Sequence, residues 1–385
     1  MTLARLARIS MIACCAAQPL LAQQADSGAI LPLPLPQGEY AVGTTTLPSQ
    51  RFTPARPRPA MVRVLQAQAW YPIAKAGARR APYIAPPTLI DSMIARSYLD
   101  LPRPVLDSLR TVRTVATLDA PAAKAPAAGW PLLLFSPGFG IARQQYTALM
   151  QQLASEGYVV IALEHPFGGF AFDAQGRVMQ PGGDSLRKRL TADHMDASLD
   201  SAFDWTVQAW ANEAVAALPA LIKATKLPID RTRIGYFGHS IGGAAALLAC
   251  ASPLLRACAD MDGDPSSATE AGGVQKSFLV LLSQPAPNAA PPADSAEATR
   301  RARFAELGRA RDLMWTGISL RSANDVHGTT RKLLGSNHLS FSDAPFVMPM
   351  LLYGTGTTLS AQAQFEAVSD LLLAFLAEAI PPRKP

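Results

Sequence analysis

The sequence predicts an α/β protein whose central sheet is mostly parallel and flanked by helices on both faces. Two observations predict this class: short runs that are apolar at every position, and segments with helical spacing between them. Continuous apolar runs are typical of strands buried on both faces. The chain has 385 residues, of which 49% are hydrophobic and 17% charged, so it can bury a large core.

The predicted elements alternate along most of the chain. Residues 40–47 and 62–71 combine β-branched and aromatic residues with partial alternation, which indicates strands near the N-terminus. The run 131–136 (PLLLFS) begins the part where buried strands and helices follow one another. Further strands are predicted at 110–118, 158–163, 233–237, 257–262, 278–283 and 329–334, and helices at 144–156, 202–226, 242–250 and 360–380.

The first 22 residues have the pattern of a secretory signal peptide. Arg5 and Arg8 form a short positive region, an apolar stretch follows, and Ala22 offers a small residue at a cleavage site. We therefore predict export to the periplasm or the exterior, with a short buried helix as the alternative. Cys14 follows Met-Ile-Ala, which weakly matches a lipoprotein processing site, so lipid anchoring is a minority interpretation.

The mature chain is predicted to be one unit. Residues 23–38 are a Pro-rich N-terminal arm, and 39–385 form a single catalytic domain without a dividing linker. The segment 285–294 (PAPNAAPPAD) is interpreted as a loop between a strand and a helix. Cys250 and Cys258 remain after cleavage of the signal peptide, and either a disulfide or two separate buried thiols fits their spacing.

The charge pattern indicates no nucleic-acid partner. The net charge of +6 is an ordinary surface balance, and no basic run is interleaved with stacking aromatic residues. Such a charge allows transient contact with an anionic membrane surface. No window reaches 18 consecutive apolar residues, so no interior membrane-spanning helix is predicted. The oligomeric state stays open.

The sharpest motif is GHSIG at residues 238–242, which fits the pattern G-x-S-x-G. A predicted strand precedes it and an Ala-rich helix follows, which is the context that a nucleophile elbow requires. Tight strand-to-helix turns need glycines beside the nucleophile and lift the Ser240 hydroxyl to the edge of the sheet. The alternative is a Gly-rich turn in which Ser240 caps the helix.

A serine nucleophile needs a general base, and His338 is the predicted one. In folds with this elbow the chain order is serine, acid, histidine, so the base comes late, on a loop after a strand. His338 follows the strand 329–334, whereas its rival His327 precedes that strand. His239 belongs to the elbow and is given a supporting role.

The acid is expected at the end of the strand 257–262. Because side chains two positions apart in a strand point to the same face, Asp260 and Asp262 are expected on one side of this strand. Asp262 lies nearer the carboxyl end of the strand, beside Gly263. Asp262 is therefore predicted to orient the imidazole and stabilise the imidazolium. Asp260 and Asp264 are expected to be solvated or to make turns.

Two backbone amides are predicted to stabilise the oxyanion. One belongs to Ile241, directly after the nucleophile. The other belongs to Phe139, in the Gly-rich loop 136–140 (SPGFG) that follows the strand 131–136. The alternative for this loop is a simple strand-to-helix turn.

These motifs together resemble the platelet-activating-factor acetylhydrolases of the plasma, or type II, kind. The resemblance rests on FSPGFG, EHP, GHSIGG, DMDGD and GSNHLSFSD in this order, with EYAVGTTTL and AWYPIA at the front, and covers residues 39–379. It implies an α/β-hydrolase fold and a serine esterase that needs no metal or cofactor. It also implies that Ser240, Asp262 and His338 are the triad and that Phe139 and Ile241 supply the oxyanion amides.

The resemblance has two departures and leaves the substrate open. Pro137 stands where the mammalian enzymes tend to have histidine, and 338 − 262 = 76 positions separate the acid from the base, a longer segment than expected. His165, in the EHP motif, is expected to make a supporting hydrogen bond.

The function expected from these residues is hydrolysis of a carboxylic ester through an acyl-enzyme. The substrates implied by the resemblance carry short or modified acyl groups, including phospholipid sn-2 esters. A dienelactone-hydrolase-like or polyester hydrolase is one alternative. A secreted binding protein on an inactive hydrolase scaffold is another, although the intact set Ser240, Asp262 and His338 argues against it.

Overall fold

The strands that the apolar runs predict assemble into one sheet. The computed structural model describes residues 30–52, 63–95, 98–166, 168, 197–286, 295–322, 328–352 and 355–382. The predicted signal peptide, His327 and most of the loop 285–294 lie outside these described residues. Within them, no helix is long and apolar enough to cross a bilayer.

Nine strands and nine α-helices are found in the described ranges. The strands are β1 (Ala41–Phe52), β2 (Arg63–Ile73), β3 (Thr117–Leu118), β4 (Trp130–Ser136), β5 (Val159–Glu164), β6 (Ile229–His239), β7 (Ala257–Met261), β8 (Ser277–Gln284) and β9 (Gly328–Leu334). The helices are α1 (Thr88–Ala95), α2 (Arg103–Ser108), α3 (Thr147–Ser155), α4 (Ala197–Thr225), α5 (Ile241–Ala249), α6 (Ser267–Gly272), α7 (Ser295–Arg321), α8 (Ala344–Val347) and α9 (Ala361–Ala379).

The sheet is mostly parallel, as predicted. Its order is β3-β1-β2-β5-β4-β6-β7-β8-β9. From β5 to β9 every neighbouring pair is parallel, and β2 is antiparallel to both β1 and β5. The carboxyl ends of β4, β6 and β7 therefore meet at one edge, which brings together the loops that carry the predicted site.

Alternate side chains of β4 show why its sequence is apolar throughout. Leu132 and Leu134 belong to the core cluster that includes residues of α4 and α5. Leu133 and Phe135 belong to the opposite cluster, with residues of α3 and α9. Because successive side chains of a strand point to opposite faces, each face needs its own cover of helices, and an uninterrupted apolar run results.

The described part of the N-terminal arm is held against the domain. The backbone N–H of Leu31 donates to the carbonyl of Phe346 at 2.8 Å. Farther along the arm, the N–H of Gly38 donates to Ser155 Oγ at 3.0 Å. Leu33, between these two anchors, is buried. Residues 30–38 therefore pack against the domain that contains the sheet.

The predicted strand 110–118 is wrong except for its last two residues, Thr117–Leu118. Two backbone N–H groups of this segment have a side chain as their acceptor instead of a neighbouring strand. The N–H groups of Val115 and Ala116 both donate to Gln151 Oε1, at 2.9 and 3.0 Å. Buried amides need an acceptor, and one glutamine here replaces a sheet ladder, which alternation alone does not reveal.

Cys250 and Cys258 form a disulfide, which decides between the two interpretations of this pair. Their Cα atoms lie 6.0 Å apart, within the usual range for a disulfide. Cys250 directly follows α5 and Cys258 lies in β7. The bond thus ties the helix after the nucleophile elbow to the strand that leads to Asp262.

Asp343 precedes α8 but does not cap it through its side chain, although its position favours a cap. Its Oδ1 instead accepts the N–H of Ala148, at 3.2 Å, in the first turn of α3. The first N–H groups of a helix have no partner within the helix, and Asp343 supplies one from 195 positions away. Asp343 is itself buried.

Replacing Asp343 with Asn is expected to change how stability depends on pH. Burial raises the pKa of Asp343 to about 7. An unfolded Asp has a pKa near 3.9, so between about pH 4 and pH 7 the folded chain keeps a proton on Asp343 that the unfolded chain has lost. The stabilisation is therefore complete below that window and is lost as pH rises through it.

The amide that D343N introduces cannot ionise but keeps an oxygen acceptor for the Ala148 N–H. The free energy of unfolding of wild type, measured in urea relative to D343N, is expected to decrease from pH 5 to pH 8. A difference between the two proteins that stays constant over this range would contradict the prediction.

Candidate active site

Ser240 lies on a sharp turn between β6 and α5, in the context that the motif predicts. Its backbone has a positive φ, with φ 58° and ψ −129°. A Cβ on Gly238 would lie 2.3 Å from the backbone of Gly242, and one on Gly242 would lie 2.3 Å from the Ser136 carbonyl. Only glycine fits both positions. Ser240 makes no side-chain cap to α5, so it is not an ordinary helix cap.

Asp262 and His338, 76 positions apart in sequence, are joined by a hydrogen bond. Asp262 follows β7 with a positive φ of 61°, and its Oδ2 lies 2.7 Å from His338 Nδ1. Ser283, on β8, donates its N–H to Asp262 Oδ1 at 2.7 Å and its hydroxyl to Oδ2 at 2.8 Å. The carboxylate is thus held by the neighbouring strand as well as by the histidine.

The electrostatic environment of Asp262 assigns the tautomer of His338. Burial alone would raise the pKa of Asp262, but the Arg311 guanidinium and the hydrogen bond from His338 outweigh it and hold that pKa below its usual range. An ionised carboxylate only accepts, so His338 Nδ1 carries the proton and donates it. His338 Nε2 then holds a lone pair, which is the form that a general base requires.

Arg311, on α7, is a residue that the sequence did not reveal. Its Nη1 donates to Asp262 Oδ1 at 2.9 Å and its Nη2 to the Gly263 carbonyl at 3.0 Å. Its Nε lies 3.0 Å from Asp264 Oδ1. The guanidinium therefore clamps the turn after β7. It comes from the long segment between Asp262 and His338, in an Arg-rich helical stretch whose pattern is that of a solvated surface.

The expectation that Asp260 and Asp264 are solvated is wrong, since both are fully buried. Asp260 Oδ1 accepts the N–H of Gly263 at 2.7 Å, so it does shape the turn. Asp264 forms an ion pair with Arg311. Buried carboxyls need such partners, and the partner that keeps Asp264 here lies far away in sequence.

The loop after β4 lies against the elbow. A Cβ on Gly138 would come within 3.3 Å of Ser240 Cβ, which shows how closely the two turns approach. Ile241 is the first residue of α5, so its N–H has no acceptor within the helix. Among the described residues, we find no backbone acceptor for the N–H of Phe139. These are the two amides predicted to face an oxyanion.

His165 makes two buried hydrogen bonds below this loop, in line with its expected supporting position. Its Nε2 lies 2.7 Å from Ser136 Oγ and its Nδ1 2.8 Å from Glu213 Oε2. Its ring stacks on Trp210 with centroids 4.3 Å apart. Ser136 is the last residue of β4, so His165 anchors the start of the loop 136–140. Its partners on α4 were not predicted.

The arrangement can carry out nucleophilic chemistry at an acyl carbon. A serine on an elbow, a histidine that donates its Nδ1 proton to an ionised aspartate and two nearby backbone amides are the components that acyl transfer requires. Among the described residues, no group of three or more His, Cys, Asp or Glu side chains is placed to hold a metal ion.

Part of the chain matches a known protein family. The family model described as "Platelet-activating factor acetylhydrolase, isoform II" matches residues 23–167. Over this segment, which is less than half of the chain, the chain is similar to that family. The matched segment includes the loop 136–140, whereas Ser240, Asp262 and His338 lie beyond it, so the roles of these three rest on geometry. The match agrees with the resemblance stated from the motifs over residues 23–167.

Two curated relatives carry related names. A "Probable 1-alkyl-2-acetylglycerophosphocholine esterase" from Arthroderma benhamiae is 29% identical over 119 residues, which are 31% of this chain and 27% of that protein. A "Platelet-activating factor acetylhydrolase" from Gallus gallus is 28% identical over 156 residues, 33% of this chain and 36% of that protein. The matches thus span only about a third of the length of either relative.

A solved structure matches nearly the whole chain. The ferulic acid esterase from Streptomyces cinnamoneus superimposes with a TM-score of 0.67 at 25% identity, and the match covers 93% of this chain and 95% of that one. This likeness, with the parallel sheet described above, confirms the α/β-hydrolase fold. The chain therefore shares its architecture with an enzyme named for an aromatic acyl ester.

Proposed function

We propose that this chain is a serine carboxylic-ester hydrolase that works through an acyl-enzyme intermediate. Ser240 is the nucleophile, His338 the general base and Asp262 the acid. The observation that carries the proposal is the 2.7 Å bond between Asp262 and His338 Nδ1, at the same edge of the sheet as the Ser240 elbow. The names of the three relatives described above, all esterases or acetylhydrolases, support the same reaction class.

In the first half of the reaction, Ser240 Oγ attacks the acyl carbon of the ester. His338 Nε2 accepts the Oγ proton, and Asp262 stabilises the resulting imidazolium. The carbonyl oxygen becomes an oxyanion that accepts hydrogen bonds from the Phe139 and Ile241 amides. As the tetrahedral intermediate collapses, the bond to the alcohol breaks, and His338 gives its proton to the leaving alkoxide.

In the second half, water hydrolyses the acyl-enzyme by the same route. His338 takes a proton from water as the water oxygen attacks the acyl carbon, and a second oxyanion forms at the same two amides. Collapse breaks the bond to Ser240 Oγ, which regains a proton from His338. The free carboxylic acid leaves, and Ser240 and His338 return to their starting protonation states.

The substrates that we propose carry short or modified acyl groups, including the sn-2 acetyl group of an ether or ester phospholipid. The family and the printed names of both curated relatives support this choice. A second candidate is an aromatic acyl ester, which the whole-chain match to a ferulic acid esterase favours. Lactones and polyesters are the remaining enzymatic alternatives, and an inactive binding protein is the non-enzymatic one.

Export belongs to the same proposal. Residues 1–22 have the pattern of a signal peptide. The Cys250–Cys258 disulfide is of the kind that persists in oxidising compartments such as the periplasm. When the full chain is expressed in a bacterium, we expect to recover it from the periplasmic fraction, cleaved near Ala22.

An ester panel tests the proposal and ranks its substrates. The mature chain, residues 23–385, is assayed with p-nitrophenyl acetate, butyrate and octanoate, with methyl ferulate, and with a phosphatidylcholine that has an sn-2 acetyl group. Cleavage of the phospholipid at a rate comparable to the best simple ester supports the acetylhydrolase specificity, whereas preference for ferulate supports the second candidate. If no ester in the panel is cleaved, the result contradicts the hydrolase proposal and favours the alternative of an inactive binding protein.

Replacing Arg311 with Met is expected to shift the pH dependence of hydrolysis. Arg311 is the main influence that opposes burial and keeps the pKa of Asp262 low. Without it that pKa rises, so the ionised form of Asp262 is lost at a higher pH as the solution is acidified. With one positive charge fewer beside it, the hydrogen-bonded pair of Asp262 and His338 binds a proton more readily, so the acid limb of the kcat/KM profile is expected to move to higher pH.

The control is Arg311→Lys, which keeps a positive charge but loses the fork that grips Asp262 and Gly263. It is expected to shift the acid limb less than R311M does. A profile for R311M that superimposes on wild type would show that Arg311 has no electrostatic role in the reaction.

A further inference from the structure

A continuous chain of buried hydrogen bonds links the loop after β4 to the loop that carries His338. The Gly138 N–H donates to Tyr146 Oη at 3.0 Å, and Tyr146 Oη lies 2.7 Å from His239 Nδ1. His239 Nε2 lies 2.9 Å from the His338 carbonyl oxygen. The side chains of Tyr146 and His239 are fully buried, so water does not compete for these bonds.

Each bond in this chain has one direction. A carbonyl oxygen only accepts, so His239 Nε2 carries the proton and donates it to His338. His239 Nδ1 is then an acceptor, and the Tyr146 hydroxyl donates to it. The Tyr146 oxygen in turn accepts the Gly138 N–H. Burial lowers the pKa of His239 well below its ordinary value, so the neutral ring that this direction requires is the favoured form.

The chain of bonds connects parts of the site that are distant in sequence. Gly138 directly precedes Phe139, and His239 directly precedes Ser240. The hydrogen bonds span 93 positions between Tyr146 and His239 and 99 between His239 and His338. The ring of His239 also packs against that of His338, with centroids 4.5 Å apart. One end of the chain of bonds is Gly138, next to the predicted oxyanion amide of Phe139, and the other end is the backbone of the predicted base, His338.

We propose that Tyr146 and His239 are positioning residues that fix the oxyanion loop relative to the base. Tyr146 holds the Gly138 N–H, on the peptide next to the one that carries the Phe139 N–H, and so limits where that second N–H can point. His239 holds the backbone of His338, which sets where its ring stands relative to Ser240. This inference rests on the proposed function, because it gives these two residues a role in that reaction.

Losing one member of this chain leaves its neighbours without partners. Removing the Tyr146 hydroxyl strands the Gly138 N–H and His239 Nδ1 in a dry environment. The loops can then settle elsewhere, and displacements of about 1 Å can lower rates by about a hundredfold. The oxyanion bonds and the proton transfer that these loops position are made in the transition state and not in the bound substrate, so kcat is expected to be affected more than KM.

The test compares Tyr146→Phe with Tyr158→Phe in hydrolysis of p-nitrophenyl butyrate. Tyr158 is an equally buried tyrosine whose hydroxyl donates to the Ile380 carbonyl at 3.1 Å, away from the site. Y146F is expected to lower kcat at least about tenfold with KM within about threefold, and Y158F to leave kcat within about twofold. Each loses a buried tyrosine hydroxyl, so thermal unfolding is expected to change similarly. A kcat for Y146F no lower than that for Y158F overturns the inference.

A second pair of variants decides the matter even if Y146F does not fold. His239→Gln keeps a donor that can reach the His338 carbonyl, whereas His239→Ala does not. H239Q is expected to retain at least about threefold more kcat than H239A, and equal losses overturn the role of this residue. Ser240→Ala in the same assay separates the two proposals. If it stays active the proposed function fails, whereas if it is inactive and Y146F behaves like Y158F only the positioning role fails.

Discussion

Replacing Ser240 with Ala is expected to lower kcat by at least about 10³-fold on the best ester of the panel. The alanine cannot form an acyl-enzyme, and only the oxyanion amides and substrate binding remain to accelerate the reaction. The backbone of the elbow is set by Gly238 and Gly242, which the substitution leaves in place. The folded structure is therefore expected to survive, as measured by circular dichroism and thermal unfolding.

The matched control is Ser369→Ala, which removes a buried serine hydroxyl from α9. That hydroxyl donates to the Glu366 carbonyl, on the same helix and outside the site. Its kcat is expected to stay within about twofold of wild type. Activity of S240A within about tenfold of wild type would mean that another residue is the nucleophile.

Replacing Asp262 with Asn is expected to lower kcat by about 10³- to 10⁴-fold. Its two carboxylate oxygens accept hydrogen bonds from His338, Ser283 and Arg311. An amide offers only one accepting oxygen, so it cannot satisfy all these donors. The substitution also removes the charge that stabilises the imidazolium. The measurement is kcat of the Asp262→Asn variant and of wild type, and the midpoints of thermal unfolding of both proteins show whether the variant is folded.

Asp260→Asn is the matched control, because the sequence offers these two aspartates on one side of the same strand. Burial raises the pKa of Asp260 well above its ordinary value, so its neutral form is already favoured and an amide is a close substitute. Its Oδ1 contact with the Gly263 N–H can persist. D260N is expected to lose less than about fivefold in kcat. A loss as large as that of D262N would reassign the acid.

Much of the fold could be predicted because local patterns encode it. The run 131–136 corresponds to Trp130–Ser136, the run 329–334 to Gly328–Leu334, and the helical pattern 360–380 to Ala361–Ala379. The period of the hydrophobic residues and the glycines and prolines that end an element are properties of neighbouring residues, so they can be recognised without knowing the fold. The segment 110–118 failed because Gln151, more than thirty positions later, accepts its amides.

In the candidate site, too, some residues could be predicted from local sequence patterns and others could not. Ser240 is predicted from a five-residue motif, and Asp262 and His338 are predicted from the order in which the strands of this architecture are followed by their loops. Arg311 and Tyr146 had no such signal, because what gives each its place is a partner on a remote element. Long-range side-chain contacts are fixed only when the sheet is assembled, so neither periodicity nor motif spacing reveals them.

The long segment between Asp262 and His338 contributes directly to the electrostatics of the site. It contains α7, and α7 supplies the guanidinium that keeps Asp262 ionised. The segment that is longer than the resemblance leads us to expect is therefore also the segment that supplies the cation beside Asp262. A shortened α7 that lacks Arg311 would leave Asp260, Asp262 and Asp264 buried together without a cation from this helix.

The most direct measurement of the central claim is the site of reaction with a fluorophosphonate. Such a reagent forms a covalent bond to an activated serine and is read by intact mass and peptide mapping. We expect one adduct, on Ser240, absent from Ser240→Ala and formed at least about 10²-fold more slowly in His338→Ala, since the base that activates the serine is then missing. An adduct on a different residue, or labelling that is equally fast without His338, would contradict the assignment of Ser240 and His338 as nucleophile and base.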